Sequence, residues 1–174
     1  MSENESLGGY DAIIMMGVSG CGKTTCGRAI AEQMELIFVD GDDFHPAANI
    51  KKMAGGSPLD DSDRAPWLRA LRQRLKQAQQ ERAPVVLACS ALKATYREQL
   101  AFVGCRFAYV YLEGSFSTLM ARLQGRTGHF MPSELLQSQF DILEIPPYGL
   151  RVSIEGSIEE TIAAARAALS QPPA

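Results

Sequence analysis

The sequence predicts an α/β fold, a parallel sheet covered on both faces by helices. Three observations predict it. Short apolar runs alternate with longer helical patterns, the order that parallel strands joined by crossover helices require. Several of the runs are apolar nearly throughout, as strands buried on both faces are. A glycine-rich loop also stands between the first apolar run and the first helical stretch.

The elements follow in order. AIIMM (12–16) is the first strand, and a helix over 22–34 follows the glycine loop. LIFV (36–39) is the second strand. The acids of DDSD lead into a helix over 63–81, with Pro66 suited to its first turn. PVVLAC (84–89) is the third strand, and LKATYREQLAF continues from Ser90 as a helix. RFAYVYL (106–112) is the fourth strand. FSTLMARLQ and ELLQSQFDILE are the next two helices, and RVSIE (151–155) is the fifth strand. The last helix opens at Ser157 with Glu160 three residues on, a capping-box pattern, and runs to about Leu169. The tail QPPA is expected to fray.

The chain has 174 residues, 46% hydrophobic and 21% charged, with a net charge of −3. These values predict one domain spanning 1–174, with a core that needs neither disulfide nor metal. No overall basic field favours a nucleic acid partner. No apolar run approaches the roughly 18 residues of a membrane span. The N-terminus MSENESLGGYD lacks the layout of a signal peptide. Cys21, Cys26, Cys89 and Cys105 form no paired C-x-x-C pattern. A reducing cytoplasm, with the cysteines as thiols, is the expected location.

Gly17-Val-Ser-Gly-Cys-Gly-Lys23-Thr24 matches G-x-x-x-x-G-K-[ST], with a strand before and a helix after. The glycines let backbone N–H groups turn inward around phosphate oxygens, and the helix adds its positive N-terminal end. Lys23 is expected on the β- and γ-phosphates and the Thr24 hydroxyl on Mg²⁺. Two readings stand for Cys21, a small side chain that fits the loop or a reactive thiol at a helix N-terminus.

VDGDDFHP (39–46) follows the second strand, whose carboxyl end shares a rim with the glycine loop. Transfer of a phosphoryl group to a hydroxyl needs a carboxylate to orient the nucleophile and take its proton. Asp42 is the candidate base, Asp40 the candidate metal partner through water, and Asp43 a third acid nearby. The stretch 41–67 is the expected substrate segment. Its donors His45, Asn49, Lys51, Lys52 and Arg64 suit a small, anionic, hydroxylated molecule better than a nucleobase. Arg64 is suited to clamp a carboxylate.

Ser90 has two compatible readings. It caps the following helix, or its backbone N–H and that of Ala91 bind an anion or a substrate hydroxyl. No acid ends the third strand, so metal support falls to Thr24, the Asp40 region and water. The stretch 122–134 combines Arg122, Arg126 and His129 with Gly125 and Gly128, as a mobile cover carrying arginines for the transferring group does.

Taken together, these stretches resemble the bacterial-type gluconate kinases (gluconokinases), among the small P-loop kinases that include the shikimate and adenylate kinases. The resemblance runs over roughly residues 12–145, through MGVSGCGKT, DGDDFHPAANIKKM, PLDDSDRAPWL, CSALKATYR, RTGHF and QFDILE. It implies a P-loop kinase fold, a five-stranded parallel sheet flanked by helices with a small lid. It also implies transfer of phosphate from ATP, with Mg²⁺, to the 6-hydroxyl of D-gluconate, and a homodimer. Carried over position by position, Lys23, Asp42 and Arg126 are catalytic. Gly17, Ser19, Gly20, Cys21, Gly22, Lys23, Thr24, Thr25 and Arg122 serve ATP. Asp42, His45, Lys52, Arg64, Ser90, His129 and Gln139 meet the substrate, and Thr24 and Asp40 the metal. Cys21 stands where serine is common, at a position that offers mainly its backbone N–H. Two other readings of the chain remain: a nucleoside monophosphate kinase, which shares the loop and lid, and a nucleotide-dependent switch, supported by the loop alone.

Overall fold

The computed structural model describes residues 9–125 and 133–171. Five strands form one sheet in the order β2-β3-β1-β4-β5, and every neighbouring pair is parallel. The strands are β1 (Ala12–Met16), β2 (Ile37–Asp40), β3 (Val85–Ala88), β4 (Phe107–Glu113) and β5 (Leu150–Ser153). The helices are α1 (Lys23–Gln33), α2 (Ala47–Ala54), α3 (Asp61–Gln80), α4 (Ala94–Leu100), α5 (Phe116–Gln124), α6 (Ser133–Ile142) and α7 (Ile158–Leu169).

Alternation along the strands sends successive residues to opposite faces. On one face Ile13, Met15, Val86 and Val110 pack with Ile30 of α1, Leu119 of α5, Leu136 of α6 and Leu169 of α7. On the other, Ile14, Met16, Leu87 and Tyr109 pack with Trp67, Leu68 and Leu71 of α3 and Tyr96 of α4. Burial on both faces explains why these strands read as continuous apolar runs. Central β1 lies between β3 and β4. Its carboxyl end therefore opens where the chain order reverses, the place at which such sheets bind ligands.

Three local expectations are corrected. Residues 47–54 form α2, which lies within a stretch read from the sequence as an irregular insertion. Its inward side chain is the polar Asn49, so no apolar stripe announces it. Helix α3 begins at Asp61, two residues early. Asp60 takes the cap, accepting from the Asp63 N–H at 2.8 Å, while the Asp63 carboxylate accepts from the Asp60 N–H at 2.9 Å. Pro66 thereby falls in the second turn, where its ring leaves the Ser62 carbonyl without a helical donor. Ser90 caps no helix, because α4 starts at Ala94 with Lys93 as its N-cap. No described helix is long and apolar enough to cross a membrane.

Candidate active site

The loop after β1 turns through left-handed glycines: Gly17 (φ 142°), Gly20 (φ 82°) and Gly22 (φ 97°), the last capping α1. A side chain at Gly17 would meet Cys21 Sγ at 2.8 Å and the Leu112 carbonyl at 2.9 Å, so only glycine fits there. Lys23 folds back over the loop, and its Nζ donates to the carbonyls of Gly17 (3.0 Å) and Val18 (2.9 Å). Cys21 is fully buried, with its sulfur 3.8 Å from that ammonium. Its backbone N–H donates to the Val18 carbonyl at 3.4 Å. Thr25 follows on α1 and is exposed.

Asp40 ends β2 beside this loop. Its Oδ2 accepts from the Thr24 hydroxyl at 3.0 Å, and its Oδ1 accepts from the Asp42 N–H at 3.1 Å. The second bond caps a short 3₁₀ turn, Gly41–Phe44, that carries Asp42. A side chain at Gly41 would collide with the Ala88 carbonyl of β3, so the turn needs glycine for close approach. Asp42 itself extends into solvent, its side chain 86% exposed.

His45 stands behind Asp42. Its side chain is only 5% exposed, and Nε2 lies 4.0 Å from Asp42 Oδ1. The ring stacks on Trp67, with centroids 4.3 Å apart and planes 12° from parallel. Trp67 Nε1 in turn donates to the Gly41 carbonyl at 2.7 Å. Asn49 Nδ2 lies 3.3 Å from His45 Nδ1 and donates to the Asp63 carbonyl at 2.8 Å. An amide nitrogen can only donate, so Nδ1 accepts and the proton sits on Nε2, facing Asp42. Burial lowers the His45 pKa, and the nearby Arg64 adds to this, against the opposing pull of Asp42. The imidazole is therefore neutral near pH 7.

Lys52 binds Asp63 Oδ2 at 2.5 Å and lies 3.6 Å from Asp60, and the bond to Asp63 raises its pKa. Arg64 is 8% exposed. Its Nη1 donates to the Leu59 carbonyl and to Tyr96 Oη (3.3 Å). Among the described residues Nε and Nη2 have no hydrogen-bond partner, so one edge of the guanidinium is left for an incoming carboxylate. Tyr96 donates to Asp61, which also pairs with Lys93 at 2.8 Å. Those two bonds hold Asp61 below the usual carboxylate range.

The Ser90 turn joins the same rim, its carbonyl accepting from the Gly17 N–H at 3.3 Å. Ala91 sits at φ 46°, a left-handed conformation unusual for alanine. Buried Arg97 holds this turn, donating to the Ala91 (2.8 Å) and Leu92 (3.2 Å) carbonyls and to Tyr148 Oη (3.1 Å). Cys89, which precedes the turn, is buried. Burial pushes that thiol up to about 12 and leaves it inert.

Arg122 ends α5 with its guanidinium on the Ile154 carbonyl, after β5. Gln139 of α6 bonds to Ser19 of the phosphate loop. Arg126 and His129 lie outside the described residues. Three supports stand outside the expected site residues: Trp67 under the Asp42 turn, Arg97 under the Ser90 turn, and Tyr96 beside Arg64. The one available signal was an aromatic or arginine in a segment otherwise rich in small polar residues.

A glycine loop closing on lysine, a threonine–aspartate pair between α1 and β2, and a 2-3-1-4-5 parallel sheet define a P-loop kinase. A family model described as an AAA domain matches residues 13–144. The probable gluconokinase of Mus musculus is 44% identical over 177 residues, covering 90% of this chain and 96% of its own. The gluconokinase of Gluconobacter oxydans (strain 621H) is 44% identical over 148 residues, covering 84% and 83%. The crystal structure of a gluconokinase from Sinorhizobium meliloti 1021 superimposes with a TM-score of 0.85 at 45% identity, covering 93% of each chain. The chain belongs to the gluconokinase family.

Proposed function

We propose that this protein transfers the γ-phosphoryl group of ATP to the 6-hydroxyl of D-gluconate. The observation that carries the reading is the placement of Asp42. Asp42 presents an exposed carboxylate, and its backbone N–H bonds to Asp40, which also binds Thr24 after the phosphate loop. Acceptor activation and phosphate binding thus share one rigid connection.

The Thr24 hydroxyl and Asp40 carboxylate are hard oxygen donors 3.0 Å apart. No cluster of three or more His, Cys, Asp or Glu side chains stands among the described residues. That sparse donor set fits Mg²⁺, which keeps several waters and takes its other ligands from phosphate. When bound, Mg²⁺ supplies charge neutralisation at the β- and γ-phosphates. The Lys23 ammonium must leave the Gly17 and Val18 carbonyls to reach those oxygens. Asp42 accepts the proton of the attacking hydroxyl, and neutral His45, its protonated Nε2 4.0 Å away, does not compete for that proton. Arg64 offers its free edge to the gluconate carboxylate, and Lys52 lies close by. Arg126 and His129 are proposed on the sequence alone.

ATP consumption measured with gluconate, shikimate and AMP as acceptors tests this reading, with the phosphorylated carbon identified by NMR. Gluconate-dependent ADP release with phosphate on carbon 6 is expected. Activity with AMP alone would establish the nucleoside monophosphate kinase reading instead. Asp42→Asn is expected to lower kcat about 10²–10⁴-fold, the scale of general base catalysis, with a gluconate KM close to wild type.

A further inference from the structure

We infer that Gln139 is a positioning residue for the phosphate loop and acts on nucleotide binding through Ser19. Its Oε1 accepts from the Ser19 backbone N–H at 2.7 Å, and its Nε2 donates to Ser19 Oγ at 3.0 Å. These two bonds join residues 120 positions apart and match the amide's acceptor and donor to one loop residue. The side chain is held for this task. Leu135 and Leu136 bury one face of α6 in the core, Gln139 lies one turn beyond Leu135, and Phe140 packs against Phe116 of α5 with centroids 5.7 Å apart. The far end of the segment is also tied down. The Glu144 N–H donates to the Leu92 carbonyl at 2.8 Å, and its carboxylate accepts from the Ala94 N–H at 2.7 Å.

The neighbouring loop residue is gripped from α5. A side chain built at Gly20 would meet Leu123 at 3.0 Å, so that helix packs directly against the loop backbone. The phosphate loop is therefore held at adjacent residues by two helices, through an apolar contact at Gly20 and a polar one at Ser19. Loop amides must be aimed before phosphate arrives if binding is not to spend free energy ordering them. Gln139 supplies that order at the third residue of the loop. Both amide atoms are engaged by Ser19, a role other than the gluconate contact that the family resemblance suggested.

The inference rests on the loop being a nucleotide site, and its test needs no acceptor. Gln139→Met keeps the side-chain length and removes both bonds. Calorimetry with a non-hydrolysable ATP analogue and Mg²⁺ is expected to show a Kd raised about tenfold, the scale of a bond pair lost from a preorganised site. The gluconate KM, measured at saturating ATP, is expected to stay within twofold. In a Ser19→Ala background the same substitution should weaken analogue binding by clearly less than it does alone. A Kd within twofold of wild type overturns the inference. So does a raised gluconate KM with an unchanged Kd, which makes Gln139 a substrate contact. If wild type binds the analogue but fails to phosphorylate gluconate, the proposed reaction falls and the role of Gln139 is judged on the Kd alone.

Discussion

At the scale of single residues, the site depends on side chains whose surroundings fix their chemistry. Cys21 reads from the sequence as either a filler or a reactive thiol. Its complete burial beneath Gly17 makes it a filler. His45 is the opposite case, a residue whose protonation matters. Burial sets its folded pKa below the ordinary 6.5, so the unfolded chain takes up a proton at higher pH than the folded one. Stability is then fully present above about pH 6.5 and declines as pH falls below it. The Asp60 carboxylate, lowered from 3.8 to about 2, contributes stability that is lost only in a far more acid range. Urea midpoints are expected to fall between pH 7.5 and 5.5, and to fall less in His45→Gln. An equal fall in the variant would place the acid sensitivity elsewhere. Asp42, Thr24 and Asp40 were all legible in the sequence, because loop spacing and strand polarity bring them to one rim. The Gln139–Ser19 pair was not, since no local pattern reports which polar atoms meet across 120 positions.

At the scale of elements, the strands were legible and the segment between β2 and α3 was not. Every strand falls within two residues of its expected bounds, because burial on both faces writes a continuous apolar run. Helix α2 carries no such signal, with Asn49 buried and Ile50 54% exposed. Its place is set by polar bonds to α3, from Asn49 to the Asp63 carbonyl and from Lys52 to the Asp63 carboxylate. Helix α3 also carries the turn that bears Asp42, through the Trp67 bond to the Gly41 carbonyl and the stack on His45. Trp67→Phe keeps an aromatic ring beside His45 but removes the N–H together with part of the buried indole. It leaves a buried carbonyl unpaired, at a cost of about 1–3 kcal/mol by urea denaturation. Because the turn holds Asp42, kcat is expected to fall more than the affinity for an ATP analogue. Equal losses in both would show that α3 serves the whole rim rather than the Asp42 turn.

At the scale of the whole molecule, the parallel sheet gathers the ends of three strands and the faces of two helices onto one phosphate loop. Asp40 reaches it from β2, the Ser90 carbonyl from beyond β3, Leu123 from α5 and Gln139 from α6. A ligand seated there therefore stabilises elements from both halves of the sheet. With Mg²⁺ and an ATP analogue at a hundred times Kd, mass action adds about 2.7 kcal/mol. For a chain of this size that corresponds to a rise in Tm of about 5–10 °C, readable by scanning fluorimetry. The Thr24–Asp40 pair lets the metal account for a large share of that rise. Replacing Mg²⁺ with EDTA is expected to cut the shift by half or more at the same analogue concentration. Thr24→Val removes the hydroxyl and keeps the shape, so its shift in Mg²⁺ should match that of wild type in EDTA. If the variant in Mg²⁺ instead keeps the full shift, the metal is held without Thr24, and the bond between α1 and β2 serves the fold alone.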